Sequence, residues 1–226
     1  MCFSPEFSFG AGAVLAVVGA FSIRKATGFR QKVFAGIPLI FSLQQFTEGV
    51  LWLALTRPGY ESYASISTHI FIFIAQVIWP TYVPLSVFLL GKGINDGNWL
   101  RALTFTGVLV SVFQAIRLYS YPVSAFVSEM HIAYQQYYPV LPFPVITILY
   151  LLATILPPFL SSHKKMWMLG SAVLFSSVVT QLFFANIFIS VWCFFAALIS
   201  VVVYVIVSEM SRTDQLSVSG KPAVES

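Results

Sequence analysis

The chain has 226 residues, 58% hydrophobic and only 9% charged, with a formal net charge of +4. That is too apolar for a water-soluble domain and excludes a disordered chain, and no shift in composition marks a second domain before a short polar tail. Net positive charge would suit nucleic acid, but the basic residues sit in short gaps between apolar runs, where membrane topology accounts for them, so the partner expected is a lipid bilayer and not nucleic acid.

The opening Met1-Cys2-Phe3-Ser4-Pro5-Glu6 has no basic stretch and no small-residue cleavage site. The first apolar run is therefore expected to remain as a helix and not to be removed as a signal peptide. Cys at position 2, in place of Gly, excludes the usual myristoylation motif. Seven apolar runs follow in order, at 7–23, 33–55, 66–90, 102–120, 140–160, 167–185 and 187–208. A helix needs about 17 to 25 apolar residues to cross hydrocarbon. Runs this long, without period-2 alternation, exceed barrel strands. The fold class expected is thus all-α: a polytopic bundle of seven transmembrane helices over residues 1–210, with 211–226 a disordered polar tail.

Arg24, Lys25, Arg30, Lys32, Lys92, Arg101, Lys164, Lys165, Arg212 and Lys221 fall on one side of the seven runs, against Arg57 on the other, while Arg117 lies inside run 4. This asymmetry places the N-terminus outside and the C-terminus in the cytoplasm. Trp99 and Trp167 at inner ends, with Trp52, Tyr60, Tyr63, Tyr119 and Tyr121 at outer ends, read as interfacial belts. The long outer connection at 121–139 carries Glu129, His131, Tyr134, Gln135, Gln136, Tyr137 and Tyr138, and suits either a lid over a site or an interfacial amphipathic helix. A faint echo relates runs 2 and 3 to runs 6 and 7 (Val33-Phe34-Ala35-Gly36 against Trp167-Met168-Leu169-Gly170). Two parallel three-helix repeats joined by run 4, a 3+1+3 arrangement, would produce it.

Of the charged side chains only Glu48 and Arg117 lie within runs, and an ionisable group in hydrocarbon needs a partner or a task. Glu48 lies seven residues, roughly 10 Å at 1.5 Å per residue, below the outer end of run 2. Arg117 lies near the outer end of run 4 and leans toward the depth of Glu48, so a structural ion pair between them is expected. Gln44, Gln45 and Glu48 share one face of run 2, His69 and Gln76 one face of run 3, and Gln114 a face with Arg117. Gln181, Asn186, Ser190 and Cys193 add polar groups of similar depth. A polar layer confined to the outer half reads as a cavity opening outward. Metal is the sharper alternative: Glu48, His69, His131 and Cys193 are ligand types that a divalent ion accepts, although no HxxxH or CxxC spacing supports it. Cys2 and Cys193 both lie on the outer side, where disulfides persist, but at different depths. Run 7 has no Lys for a retinal Schiff base, and no pair of facing His suits haem.

Several motifs recur together: Met1-Cys2-Phe3-Ser4, Gln44-Gln45-Phe46-Thr47-Glu48-Gly49 with Trp52, Trp79-Pro80, Leu160-Ser161-Ser162-His163, and Ser190-Val191-Trp192-Cys193-Phe194-Phe195-Ala196-Ala197. In this combination, from residue 1 to about residue 200, the chain resembles a family of small bacterial multi-spanning membrane proteins of unknown activity. The resemblance implies a multi-pass protein of the bacterial inner membrane and no particular reaction. Seven-span zinc hydrolases related to alkaline ceramidases are a poorer comparison, because their three-histidine pattern is missing.

The function expected is binding of a small polar or cationic ligand in an outward-facing cavity, for transport or sensing. Glu48 would be the central charge, with Gln44, Gln45, His69, Gln114 and Arg117 orienting the ligand and the loop around His131 covering it. A sensor would need a signalling partner protein. The alternatives are an enzyme, metal-dependent or not, acting on a lipid head group, with Glu48 as base or metal ligand and His69 and His131 assisting, and a structural or assembly subunit whose polar layer joins helices.

Overall fold

The computed structural model describes residues 4–91, 94–128, 131–138, 143–183 and 188–218, without the side chains of 94–96, 143, 181–183, 188–194, 217 and 218. Among these residues nine α-helical segments form seven rods, each overlapping one of the apolar runs. Helix α1 is Pro5–Lys25, α2 Phe29–Ala35, α3 Ile37–Thr56, α4 Ala64–Ile72 and α5 Trp79–Leu90. Beyond them α6 is Ile94–Ser120, α7 Phe143–Phe159, α8 Met166–Phe183 and α9 Phe188–Val218. Four stretches are long and apolar enough to cross a membrane: Pro5–Lys25, Glu61–Leu90, Gly97–Ser120 and Phe195–Leu216. Two shorter apolar helices join them, Pro144–Phe159 and Met166–Thr180.

Large apolar side chains point outward at helical spacing: Phe105, Leu109, Val112 and Ile116 on α6, and Val145, Ile148, Leu152 and Leu156 on α7. In water such faces would be exposed hydrophobic stripes; in a bilayer they are the lipid surface. Trp99 and Tyr119, at 71% and 95% exposure, mark the two ends of α6.

Rod 2 bends where α2 meets α3 at Gly36. Pro38 has no N–H with which to continue the helical ladder, and the Val33 carbonyl at the bend accepts both from Gly36 N–H at 3.1 Å and from Tyr82 Oη at 2.6 Å. That hydroxyl sits 2.7 Å from where a Cβ on Gly36 would project, so only glycine leaves it room. In rod 3, α4 passes into α5 through a π-helical turn, Phe73–Ile78. Pro80 contributes no N–H to this wide turn, and neighbouring helices supply donors: Tyr150 Oη to the Ala75 carbonyl at 2.7 Å and Ser111 Oγ to the Val77 carbonyl at 2.6 Å.

Helix α1 packs along α3, with Gly12 against the Phe46 ring and Gly49 against the Phe9 ring. Small residues bring the two backbones close, as membrane packing requires when no hydrophobic force drives helices together. Helix α9 closes the bundle against α1, α3 and α8, whereas α6 sits to one side, against rod 3 and α7, which also touch each other.

Two departures from the expected architecture have physical causes. The chain is not all-α: Val123–Ser128 (β1) and His131–Gln136 (β2) form an antiparallel hairpin in register Val123↔Gln136 to Ser128↔His131. Within the connection at 121–139 the hairpin takes the place of the alternative amphipathic helix, its short alternation of side chains placing Ala125, Ile132 and Tyr134 against the bundle. Residues 211–218, expected in the disordered tail, continue α9. Asp214 holds them there, accepting from Thr27 Oγ1 at 2.9 Å and Gln31 Nε2 at 2.8 Å.

Candidate functional site

Helix α3 presents Gln44, Gln45 and Glu48 into the bundle, where their exposures are 3%, 1% and 0%. They are packed and do not line an open cavity. The Trp79 indole N–H, at the start of α5 just after the π turn, donates to Gln44 Oε1 at 3.0 Å. Gln45 Nε2 reaches Glu48 Oε2 at 3.4 Å, a long and weak bond. One turn deeper, Ser42 Oγ donates to the Gly12 carbonyl at 2.8 Å and ties the same face to α1. Below this layer the Trp79 and Phe41 rings, 4.2 Å apart, border a small apolar crevice of about 30 Å³ that also touches Tyr150 and Ile199.

Gln114 and Arg117 form a second cluster. Arg117 Nη1 donates to Gln114 Oε1 at 2.8 Å, and its guanidinium carbon lies 3.3 Å from the centre of the Tyr138 ring. A buried guanidinium over an aromatic face is a desolvated cation–π contact. Burial also pushes the Tyr138 phenol above its ordinary value, with Arg117 pulling the other way. Helix α3 packs mainly on α1, α4 and α9 and α6 mainly on rod 3 and α7, and ion pairs join Arg57 to Glu6 at 3.4 Å and Lys165 to Glu209 at 2.8 Å.

The two candidate histidines have separate settings. His69 is bonded within its own helix, Nδ1 to the Ser65 carbonyl at 2.7 Å. His131 begins β2, and its Nδ1 is buried with no hydrogen-bond partner among the described residues. Beside it, Ile132 is fully buried against Leu51 and Trp52, and Tyr134 stacks flat on Phe71 at 4.8 Å with a 2° tilt. The hairpin thus rests on the ends of α3 and α4, and Gln76 of the π turn reaches it through Gln136 at 3.3 Å. No group of three His, Cys, Asp or Glu side chains that could hold a metal occurs among the described residues. The fourth metal candidate, Cys193, has its side chain outside them, as do Gln181 and Ser190; Cys2 and Asn186 lie outside them altogether.

A hollow of about 690 Å³ opens at the opposite, basic end. Arg30, the loop at residues 162–165 and the stretch from Glu209 to Asp214 of α9 line it, over a floor that includes Leu90, Ile206 and Met210. Sequence reasoning assigned these charges to topology alone. It also missed Trp79 as the partner of Gln44 and Tyr138 as the partner of Arg117, because both bonds cross between elements far apart in the chain.

The match to a known family spans residues 1–217 and carries the description of a family of unknown function, DUF6629. The chain belongs to that family. No curated protein matches it, and no solved structure does. The DUF6629 match thus covers every described residue of the site above and adds no reaction to it.

Proposed function

We infer that this DUF6629 protein binds a small polar or cationic ligand within the membrane, in transport or sensing, with Glu48 as the charge on which binding turns. One observation carries the reading: a carboxylate with no exposure, inside an apolar helix of the bundle, with the Gln45 amide 3.4 Å away. Such a group is costly unless it is used or fully partnered. Because Gln44, Gln45 and Glu48 are packed shut, a ligand reaches them only if the layer opens, so binding is coupled to a rearrangement. The π turn at Phe73–Ile78, which sets Trp79 over Gln44, supplies a deformable joint for that opening. The N-terminus is placed outside by the charge asymmetry, which makes the hairpin end external and the hollow at the basic end cytoplasmic. The place of α6 beside the rest of the bundle suits two three-helix units joined by α6.

The test is reconstitution in liposomes loaded with a pH-sensitive dye, with tetramethylammonium and choline as probes. Cation-dependent flux or binding is expected in the parent and lost in Glu48→Gln. A fully active Glu48→Leu protein would refute the reading. A structural role in assembly is the second reading, favoured by Trp79–Gln44 and Ser42–Gly12, which bond the layer to itself across helices.

A further inference from the structure

The hollow at the basic end holds more charge than topology needs. Positive-inside placement explains why cations lie at this end. It does not explain why three of them line one hollow with only two carboxylates, Glu209 and Asp214, to balance them. Lys165 is paired with Glu209 at 2.8 Å, and Asp214, a second carboxylate of the lining, keeps its charge while accepting from Thr27 and Gln31. Arg30 and Lys164 line the same hollow, are exposed, and have no hydrogen-bond or ion-pair partner among the described residues. Lys164 lies in the loop two residues before α8. His163 lies between them in the lining, its Nε2 bonded to the Leu90 carbonyl at 3.0 Å, which fixes the ring against the floor.

We propose that this hollow is an anion site for a phosphate-bearing ligand, with Arg30 and Lys164 as the two cations that clamp the phosphate. Arg supplies a planar fork that matches two phosphate oxygens and Lys a mobile point charge. The apolar floor of Leu90, Ile206 and Met210 suits the glycerol and first methylenes of a lipid, while the volume of about 690 Å³ also admits a free phosphate compound. The chemistry of recognition is the same for both sources.

The full-length protein decides it in two arms. Melting temperature and binding are followed in nanodiscs of phosphatidylcholine with and without phosphatidylglycerol, and in detergent with and without inorganic phosphate. Stabilisation by at least one probe is expected, and Arg30→Gln with Lys164→Gln should weaken it about tenfold or more. Arg24→Gln with Lys25→Gln removes the same charge from the same end outside the hollow and should leave binding within about twofold. A response in the lipid arm alone identifies a head group, and one to inorganic phosphate a free ligand. Equal weakening by the two double variants, or no response of the parent to either probe, overturns the site.

Discussion

Gly107→Ala is the sharpest test of how the bundle is assembled. Gly107 lies mid-way along α6, and a Cβ there would overlap the Pro80 carbonyl oxygen, with the Pro80 carbonyl carbon at 2.8 Å. The obstacle is backbone, which cannot rotate aside as a side chain can. Overpacking of this kind costs about 1–3 kcal/mol, and a backbone obstacle puts the cost at the upper end. Alanine returns up to about 1 kcal/mol of helix propensity. The net loss is about 2 kcal/mol, which for a chain of this size lowers the melting temperature by about 4–8 °C. Because Pro80 follows Trp79, pushing α6 away also disturbs the Trp79 bond to Gln44. The assay is thermal unfolding in detergent, followed by tryptophan fluorescence, with Gly10→Ala as control. Gly10 has nothing within 4 Å of its Cβ position, so that variant should be neutral or slightly more stable. A Gly107→Ala protein that melts with the parent would refute the close approach of α5 and α6.

Trp79→Phe keeps a ring against Phe41 but removes the donor to Gln44, and should cost about 1–2 kcal/mol in the same melting assay. Glu48→Gln should fold with near-parent stability while any ligand binding loses its dependence on pH; retained dependence would assign the titration to another group. Tyr138→Ala removes the ring beneath Arg117 and should cost about 2 kcal/mol, while Tyr138→Phe keeps most of the contact. Since burial raises the Tyr138 phenol above its ordinary value of 10.0, its contribution is complete below pH 10.0 and is lost as pH rises through the raised value. Alkaline melting curves should therefore decline less steeply in Tyr138→Phe than in the parent.

The rods were legible because long apolar runs have few alternatives in a chain this poor in charge, and each run overlaps a helical rod. The polar face of rod 2 was legible for the same reason: Gln44, Gln45 and Glu48 fall at three- and four-residue spacing, which fixes a shared face whatever the neighbours are. Which helix meets that face was not, because neighbours depend on packing, and small residues such as Gly12 and Gly107 set approach without announcing a partner. Depth alone paired Glu48 with Arg117, and depth by itself says nothing of which rods are neighbours. The hairpin was missed because Val123–Ser128 and His131–Gln136 are six residues each, too short for their alternation to stand out beside seven long helices. The hollow at the basic end was missed because its lining comes from α2, the loop before α8 and the far end of α9, which no sequence window spans.

The hairpin at the opposite end has a consequence for how the protein matures. A two-stranded ribbon has little stability alone, so this one depends on Leu51, Trp52 and Phe71 being already in place beneath Ile132 and Tyr134. It must therefore be among the last elements to form, after the third and second rods have met. Its amide protons become a gauge of the whole assembly: exchange at Ile132 should be slow only when the helices below have docked, and should quicken first whenever they begin to part.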